Sequence, residues 1–151
     1  MPTHSRSLTD SPTATVVDVI HEDGETRLVR ATWGEDEARV LCRTPRDDYP
    51  SPENIARLRY GYEVQAGLDL AGTARPIALE RLAGSWTVVL EDFGATSVRN
   101  LLDEREIGVA EALLIAIGIA SALGEIHTRQ IVHKNINPAS CLLYTSDAAD
   151  E

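Results

Sequence analysis

The chain has 151 residues, of which 43% are hydrophobic and 25% charged. This composition excludes a disordered protein, and the length suits one domain but is short for a two-lobed enzyme. The net charge of −10 argues against broad attraction to nucleic acid or to an anionic membrane surface. Cys42 and Cys141, the two cysteines, form no disulfide framework, which predicts a reducing, cytoplasmic location.

The two ends of the chain differ from the rest. Residues 1–14 are rich in Ser, Thr and Pro and are predicted to form a flexible leader. Residues 141–151 read CLLYTSDAADE, which back-translates into DNA that resembles a transposon-end adapter of sequencing libraries. We therefore expect the natural reading to end near Ser140, so that the chain is a truncated piece of a longer protein. The alternative is a genuine short strand with an acidic terminus.

Alternating apolar and polar residues predict five strands. The first two lie in ATVVDVIHEDGETRLVRATW and meet at Asp23 and Gly24, a hairpin signal. A third strand, EARVLCR, follows the turn WGEDE. Two more strands lie in RPIALERLAGSWTVVLEDFG and join at Ala83 and Gly84.

Between the third and fourth strands the spacing becomes helical, over DDYPSPENIARLRYGYEVQAGL. Ser51 is predicted to cap this helix and Pro52 to occupy its first turn. The residues predicted to face inward are Ile55, Leu58, Tyr62 and Leu68.

Two helices follow the fifth strand. Ser97 is predicted to cap the short helix VRNLLDE, and a long helix is predicted from about Val109 to His127. The long helix is apolar nearly all round, so it needs partners on several sides. Its apolar run is interrupted by Glu111 and falls short of the roughly 18 residues of a membrane span, so we predict a buried helix and no membrane segment. In a truncated chain this helix should lie partly uncovered.

The order of these elements resembles the small lobe of a protein kinase and the first helices of its large lobe. Three segments, DDYPSPENIARLRYGYEVQAGLDLAGTARPIALE, LEDFGATSVRNLL and ALGEIHTRQIVHKNINPAS, are similar to the kinase-like domain at the head of bacterial multidomain sensor histidine kinases. The resemblance covers about residues 15–140. It implies an α+β fold, with a five-stranded antiparallel sheet, one helix and a hinge over residues 15–94 and an incomplete helical large lobe over 95–140.

The same resemblance implies a function and its requirements. The family carries out ATP-dependent phosphoryl transfer to serine or threonine with Mg²⁺ as cofactor. The expected partners are downstream domains of the same polypeptide and a protein substrate or regulator, with no nucleic acid.

One tripeptide has the letters of a kinase metal-binding motif. Asp92, Phe93 and Gly94 read D-F-G, but they precede the catalytic loop, whereas the magnesium-binding motif follows it. We therefore interpret Leu90 to Gly94 as the hinge, where backbone groups near Glu91 and Phe93 would meet an adenine.

The catalytic loop of kinases, H-R-D-L-x-x-x-N, is similar to HKNINPAS at residues 133–140. Asn135 stands at the position of the catalytic base, where an amide can orient a hydroxyl but cannot take up a proton. Ser140 stands where an asparagine would hold magnesium, so no metal ligand is predicted. We expect His133 to be a scaffold residue, whereas Lys134 either contacts an activation-loop phosphate or is solvated.

The phosphate-binding cation also differs from the family pattern. Lys134 is the only lysine, so no strand can supply one, and Arg43 stands at the matching place on the third strand. Arg43 keeps the charge with a different geometry, and a plain strand-edge arginine is the equal alternative. The orienting glutamate falls on Gly61 by register, and the nearest acid, Glu63, is predicted to face away, so the ion pair should be absent.

The first hairpin turn has one glycine where kinases use G-x-G-x-x-G. Gly24 is the candidate phosphate contact there, but Glu22, Asp23 and Glu25 would repel a triphosphate. We favour an acidic hairpin tip over a phosphate cradle.

Two functions remain open on these residues. One is a serine/threonine-kinase-like catalytic domain, and the other is a pseudokinase that binds or regulates at the head of a sensor histidine kinase. The separate departures at Asn135, Arg43, Gly61 and the glycine loop favour the pseudokinase.

Overall fold

The computed structural model describes residues 14–144 and contains one large antiparallel sheet. Its strands are β1 (Ala14–Glu22), β2 (Thr26–Trp33), β3 (Ala38–Pro45), β4 (Pro76–Leu82) and β5 (Ser85–Glu91), in the order β1-β2-β3-β5-β4. Every neighbouring pair is antiparallel. The predicted α+β class and the five-stranded antiparallel sheet are confirmed.

Three helices and a second, smaller sheet complete the described part of the chain. The helices are α1 (Pro52–Ala66), α2 (Val98–Glu104) and α3 (Val109–Thr128), and the strands β6 (Ala95–Ser97) and β7 (Leu142–Tyr144) pair with each other. The sequence did not predict β6, and β7 falls in the segment assigned to the adapter-like tail. Residues 145–151 of that tail and residues 1–13 of the leader lie outside the described residues.

The predicted hairpins form where the turn chemistry indicates. Between β4 and β5, Ala83 and Gly84 both have positive φ, at 49° and 82°, as the tight turn of a hairpin requires. Between β1 and β2, the backbone N–H of Asp23 donates to the carbonyl of Thr26 at 3.0 Å. Local side-chain and backbone preferences are therefore sufficient to set these turns.

Helix α1 begins as the sequence predicts and packs on one face of the sheet. The Ser51 hydroxyl accepts a hydrogen bond from the backbone N–H of Asn54 at 3.2 Å, and Pro52 occupies the first turn. Leu58 is the buried residue of this helix, and Tyr62 packs against the same cluster.

The sheet is apolar on both faces. The buried cluster on the α1 side comprises Ile20, Leu28, Leu41, Leu58, Val88 and Leu90. Strand neighbours point to the opposite face, where the second cluster comprises Val29, Ala31, Val40, Cys42, Leu82 and Val89. Burial raises the pKa of the Cys42 thiol to about 11, so this cysteine is protonated and acts as a core side chain.

Helix α2 holds the loop that follows α3. The Ser97 hydroxyl caps α2 by accepting from the N–H of Asn100 at 3.0 Å. The backbone N–H groups of Val98 and Arg99, at the start of the helix, donate to the carbonyls of Cys141 and Pro138, each at 2.9 Å. The start of α2 thus fixes the end of the loop, and the Asn100 amide binds the carbonyl of Ile20 on β1 at 3.1 Å.

Helix α3 has the predicted bounds but not the predicted burial. Only Ile126 is buried in it, and apolar side chains such as Leu114 and Ile117 are 70% and 61% exposed. The prediction of a buried helix is wrong, because residues 14–144 cover only one side of α3. The expectation that the helix is partly uncovered is confirmed. Among the described residues, α3 is long and apolar enough to cross a membrane, although the sequence analysis expected its apolar run to be too short for a span; core helices and signal sequences meet the same criteria.

Candidate functional site

The segment that resembles a catalytic loop is a turn built around Asn137. The side-chain oxygen of Asn137 accepts from the backbone N–H groups of Ala139 and Ser140, at 2.9 and 3.0 Å. Its amide nitrogen donates to the carbonyl and to the side-chain oxygen of Asn135, at 3.1 and 3.0 Å. The Ser140 hydroxyl accepts from the N–H of Asn137 at 3.1 Å. The polar side chains of the loop therefore bind one another and their own backbone.

His133 anchors the start of this loop. Its Nδ1 accepts a hydrogen bond from the backbone N–H of Asn135 at 3.2 Å, which requires that nitrogen to be unprotonated. Loss of hydration lowers the pKa of His133, and the positive charge of Arg43 lowers it further. A neutral His133 therefore binds the loop backbone, and its scaffold role in a catalytic loop stays a prediction. Lys134 is exposed, with a left-handed φ of 66°, and makes no ion pair within residues 14–144.

Arg43 lies in the middle of the sheet, opposite Leu28 of β2 and Val88 of β5. Its guanidinium points toward α1, where one nitrogen lies 3.4 Å from the side-chain oxygen of Gln65. The Gln65 amide nitrogen is itself bound to the carbonyl of Ala74. Burial lowers the pKa of Arg43, against the opposing effect of the Asp23 carboxylate.

No carboxylate in the described residues forms an ion pair with Arg43. Glu63 is exposed on the far side of the helix, and Gly61 faces the strand. An arginine at this place thus has an amide for a partner where the family pattern has a glutamate. Sequence reasoning missed Gln65, which lies one helical turn beyond Gly61.

A cleft opens beside Arg43, between the first hairpin turn, β3 and α1. Its volume is about 140 Å³. The residues that line it are Glu25, Thr26, Arg43, Pro45, Asn54, Arg57, Leu58 and Gly61. Sequence reasoning did not single out Asn54 or Arg57, although a spacing of three and four residues along α1 places them on the face that Leu58 and Gly61 share.

The first hairpin turn is stabilised by its own acidic side chains. One carboxylate oxygen of Asp23 accepts from the backbone N–H groups of Glu25 and Thr26, at 2.7 and 2.8 Å. Burial opposes ionisation of Asp23, yet these hydrogen bonds hold its pKa below the usual value. The Asp23 carboxylate therefore accepts the hydrogen bonds of the backbone N–H groups to which a phosphate would have to bind.

Arginines surround the same turn. Glu22 pairs with Arg27 at 2.6 Å and with Arg46 at 3.0 Å. A Cβ at Gly24 would meet nothing within 4 Å, so no close backbone approach requires a glycine there. The acidic hairpin tip favoured by the sequence matches this arrangement better than a phosphate cradle does.

The predicted hinge begins inside the core. Leu90 is fully buried and packs with Ile20, Leu28 and Leu41. The backbone N–H of Glu91 donates to the carbonyl of Arg75 at 2.9 Å, while its side chain is exposed.

Phe93, the other predicted adenine contact, is partly buried. It follows Asp92 in the segment that leaves β5, opposite the start of β3, where Val40 pairs with Glu91.

Asp92 is a structural residue of this segment. Its carboxylate is 2% exposed and lies 2.8 Å from the Nε of Arg30, and its other oxygen accepts from the N–H of Gly94 at 2.9 Å. Burial raises the pKa of Asp92, but the hydrogen bonds and the charges of Arg30 and Arg39 outweigh it and lower the pKa overall. The Asp92 carboxylate thus binds Arg30 and the backbone of Gly94, and the hinge role of this segment stays a prediction. The sequence analysis did not identify Arg30 as the partner of Asp92.

The predicted site residues fall into two groups. Arg43 lies close enough to His133 and to the first hairpin turn for their charges to interact. Glu91 and Phe93 lie at the other end of β3 and β5. Within residues 14–144, no three His, Cys, Asp or Glu side chains form a cluster that could hold a metal ion. The first hairpin turn and the loop at residues 133–140 do not fit ATP and Mg²⁺, since Asp23 binds the backbone N–H groups of the turn and Asn137 binds Asn135.

Comparison with known proteins adds no relative. No protein-family model matches the chain, and no curated protein matches it.

Proposed function

We propose that this chain is part of a kinase-like signalling domain that does not transfer phosphate and acts as a pseudokinase, a binding or regulatory module of a larger sensor protein. The proposal rests on the sequence resemblance together with an α+β fold compatible with a kinase small lobe. The observation that carries it is the state of Asn135. Its side-chain oxygen is held by Asn137, and an amide cannot accept the proton of a substrate hydroxyl.

The surroundings of Arg43 support the same proposal. Phosphoryl transfer depends on positioning and on neutralising phosphate charge. A guanidinium bound to Gln65, without an acid to orient it, is poorly suited to hold a phosphate in one place.

The acidic turn supports the proposal independently. The N–H groups of Glu25 and Thr26 already bind the Asp23 carboxylate. A triphosphate would have to displace that carboxylate and approach Glu22 as well. This loss and the loss at Asn135 affect different parts of the reaction, so restoring one residue cannot restore the activity.

Two assays test the proposal on the natural full-length protein. Transfer is measured with labelled ATP, Mg²⁺ and a serine or threonine substrate, and binding is measured by calorimetry with ATP. We expect no transfer by the natural protein and none by the Asn135→Asp variant. Magnesium-dependent phosphorylation that disappears in Asn135→Ala would overturn the proposal in favour of a catalytic kinase.

Long-read sequencing of the source locus tests the reading of the chain itself. Reads should pass through codon 135 and well beyond codon 140. We expect Asn135 to persist, the sequence to diverge from residue 141, and no Asp-Phe-Gly motif to follow. An aspartate at position 135, or a downstream Asp-Phe-Gly motif, would favour an active signalling kinase.

A further inference from the structure

Two arginines lie against the ring of Trp86 on the α1 side of the sheet. The guanidinium carbon of Arg59, on α1, is 5.4 Å from the ring centroid. That of Arg81, directly opposite Trp86 on β4, is 5.9 Å from the same centroid. Both arginines are exposed and Trp86 is half-buried. We call these three residues the Arg–Trp–Arg cluster.

The cluster brings two positive charges together without an acid. Most arginines in the described residues form ion pairs, but Arg59 and Arg81 form none there. The hydrogen bond of Arg81 goes to the carbonyl of Gly84, at 2.9 Å. An exposed aromatic face attracts each cation only modestly, and the two like charges repel each other. In a chain of net charge −10, the cluster is thus a local positive surface that can take up carboxylates.

A segment of complementary charge connects β3 with α1. It consists of Asp47, Asp48 and Tyr49, all exposed, and the Tyr49 side chain is 96% exposed. Neither carboxylate forms an ion pair within residues 14–144. We propose that this acidic segment of one copy of the chain binds the Arg–Trp–Arg cluster of a second copy. The inference goes beyond the proposed function, because it involves neither ATP nor the loop at residues 133–140.

Both halves of the contact lie at the same edge of the large sheet. Arg43 of β3 pairs with Val88 of β5 in antiparallel register. Trp86, two residues before Val88, therefore lies beside the end of β3, from which the acidic segment leads to α1. A two-fold rotation can then place each acidic segment on the cluster of the other copy, so that the same contact forms twice.

Within one chain this contact is not made. The acidic segment is held between the end of β3 and the Ser51 cap of α1. Arg59 is eight residues beyond that cap, which is about 12 Å along a helix that rises 1.5 Å per residue. A second copy supplies both carboxylates and a tyrosine ring, and tyrosine and arginine are the residue types enriched where proteins associate.

Sedimentation equilibrium of the whole chain tests the contact by charge reversal. One variant carries Arg59→Glu and Arg81→Glu, and the other carries Asp47→Arg and Asp48→Arg. Each variant alone should raise the dissociation constant of the dimer at least about tenfold, because every change acts in both contacts. An equimolar mixture of the two variants should return to within about threefold of the natural value, since opposite charges again face each other in both contacts.

Two controls separate this contact from other effects. Arg99→Glu reverses the charge of an exposed arginine on α2 that pairs with Asp103, and it should leave association unchanged. The series is repeated with Leu114→Gln and Ile117→Gln, which remove apolar side chains from the exposed side of α3. Circular dichroism of each variant confirms that the fold is kept.

Three results would overturn the inference: a monomeric chain in both series, no effect of either charge reversal, or no recovery in the mixture. Loss of association on reversal of the arginines but not of the aspartates would show that another acidic segment occupies the cluster, and would refute the assignment to residues 47–49. These measurements contain no ATP or Mg²⁺, so their outcome is independent of the tests of the pseudokinase proposal.

Discussion

The Nε of Arg30 lies 2.8 Å from a carboxylate oxygen of Asp92. This pair connects β2 with the segment that leaves β5, across 62 positions of sequence. Both side chains are largely removed from solvent, at 14% and 2% exposure, so loss of Asp92 would take the nearest opposite charge away from a guanidinium that water reaches poorly.

Asp92→Asn should therefore destabilise the fold. We expect the free energy of unfolding to fall by about 3 kcal/mol, as is typical when one partner of a buried pair is removed. Asp18→Asn is the matched control, because Asp18 lies 3.7 Å from the same arginine but is 62% exposed. Its loss should be below about 1 kcal/mol in the same urea titration. Equal losses in the two variants would show that burial of Asp92 is not what matters.

The same pair predicts a pH dependence with a definite sign. The pKa of Asp92 is lower in the folded chain than in the unfolded chain. Its contribution is therefore complete above the unfolded value of about 4 and is lost as the pH falls through the folded value. The stability difference between the natural chain and Asp92→Asn should shrink below pH ~4. A difference that stays constant down to pH ~2 would contradict the assignment.

Much of the fold follows from short stretches of sequence. Ser51 and Ser97 start their helices, and Ala83 and Gly84 turn between their strands, because caps and turns depend on a few neighbouring residues. The strand β6 could not be found in this way. It has three residues, and its pairing with Leu142–Tyr144 bridges more than 40 positions.

The sequence predicted which residue types occupy the candidate site, but not which contacts those residues make. The sequence shows that Asn135 is an amide and that the third strand has an arginine. It does not show that Asn137 would bind Asn135, or that Arg43 would meet Gln65, because those contacts depend on loop conformation and on the rotation of α1. The prediction that α3 is buried was wrong for a related reason. The apolar surface of the helix indicates that it needs packing partners, but not that residues 14–144 supply them.

The turn at Ala83 offers a stabilising substitution. Ala83 has a φ of 49°, a left-handed conformation that costs an ordinary L-residue about 1 kcal/mol and is tolerated by asparagine. Ala83→Asn creates an Asn-Gly turn and should raise the free energy of unfolding by about 0.5 to 1 kcal/mol in urea. Gly84→Ala, at φ 82°, should have the opposite effect although no atom lies near its Cβ position. Destabilisation by Ala83→Asn would refute the turn geometry.

The approach of Gly72 to α3 leaves no room for a side chain. A Cβ on Gly72 would lie 2.7 Å from the Cβ of Ala122, and 3.1 Å from its Cα. Gly72→Ala should displace α3 and lower the free energy of unfolding by about 1 to 3 kcal/mol. Gly124→Ala is the control, because the space around that helical glycine is open, and it should stabilise by about 0.5 to 1 kcal/mol. Thermal and urea unfolding of the two variants should shift in opposite directions, and shifts in the same direction would contradict the packing.

The uncovered side of α3 should control self-association. Leu114 and Ile117 are 70% and 61% exposed and lie three residues apart, so together they form an apolar surface of the kind that promotes aggregation. The double change Leu114→Gln and Ile117→Gln should reduce sedimenting oligomers and dye binding to apolar surface, with a change in stability within about 0.5 kcal/mol. Ile126→Gln is the contrasting variant, since Ile126 is 7% exposed. It should cost about 2 to 4 kcal/mol and increase association by exposing the core. A monodisperse natural chain, with no gain from the double variant, would mean that the exposed side of α3 does not drive association.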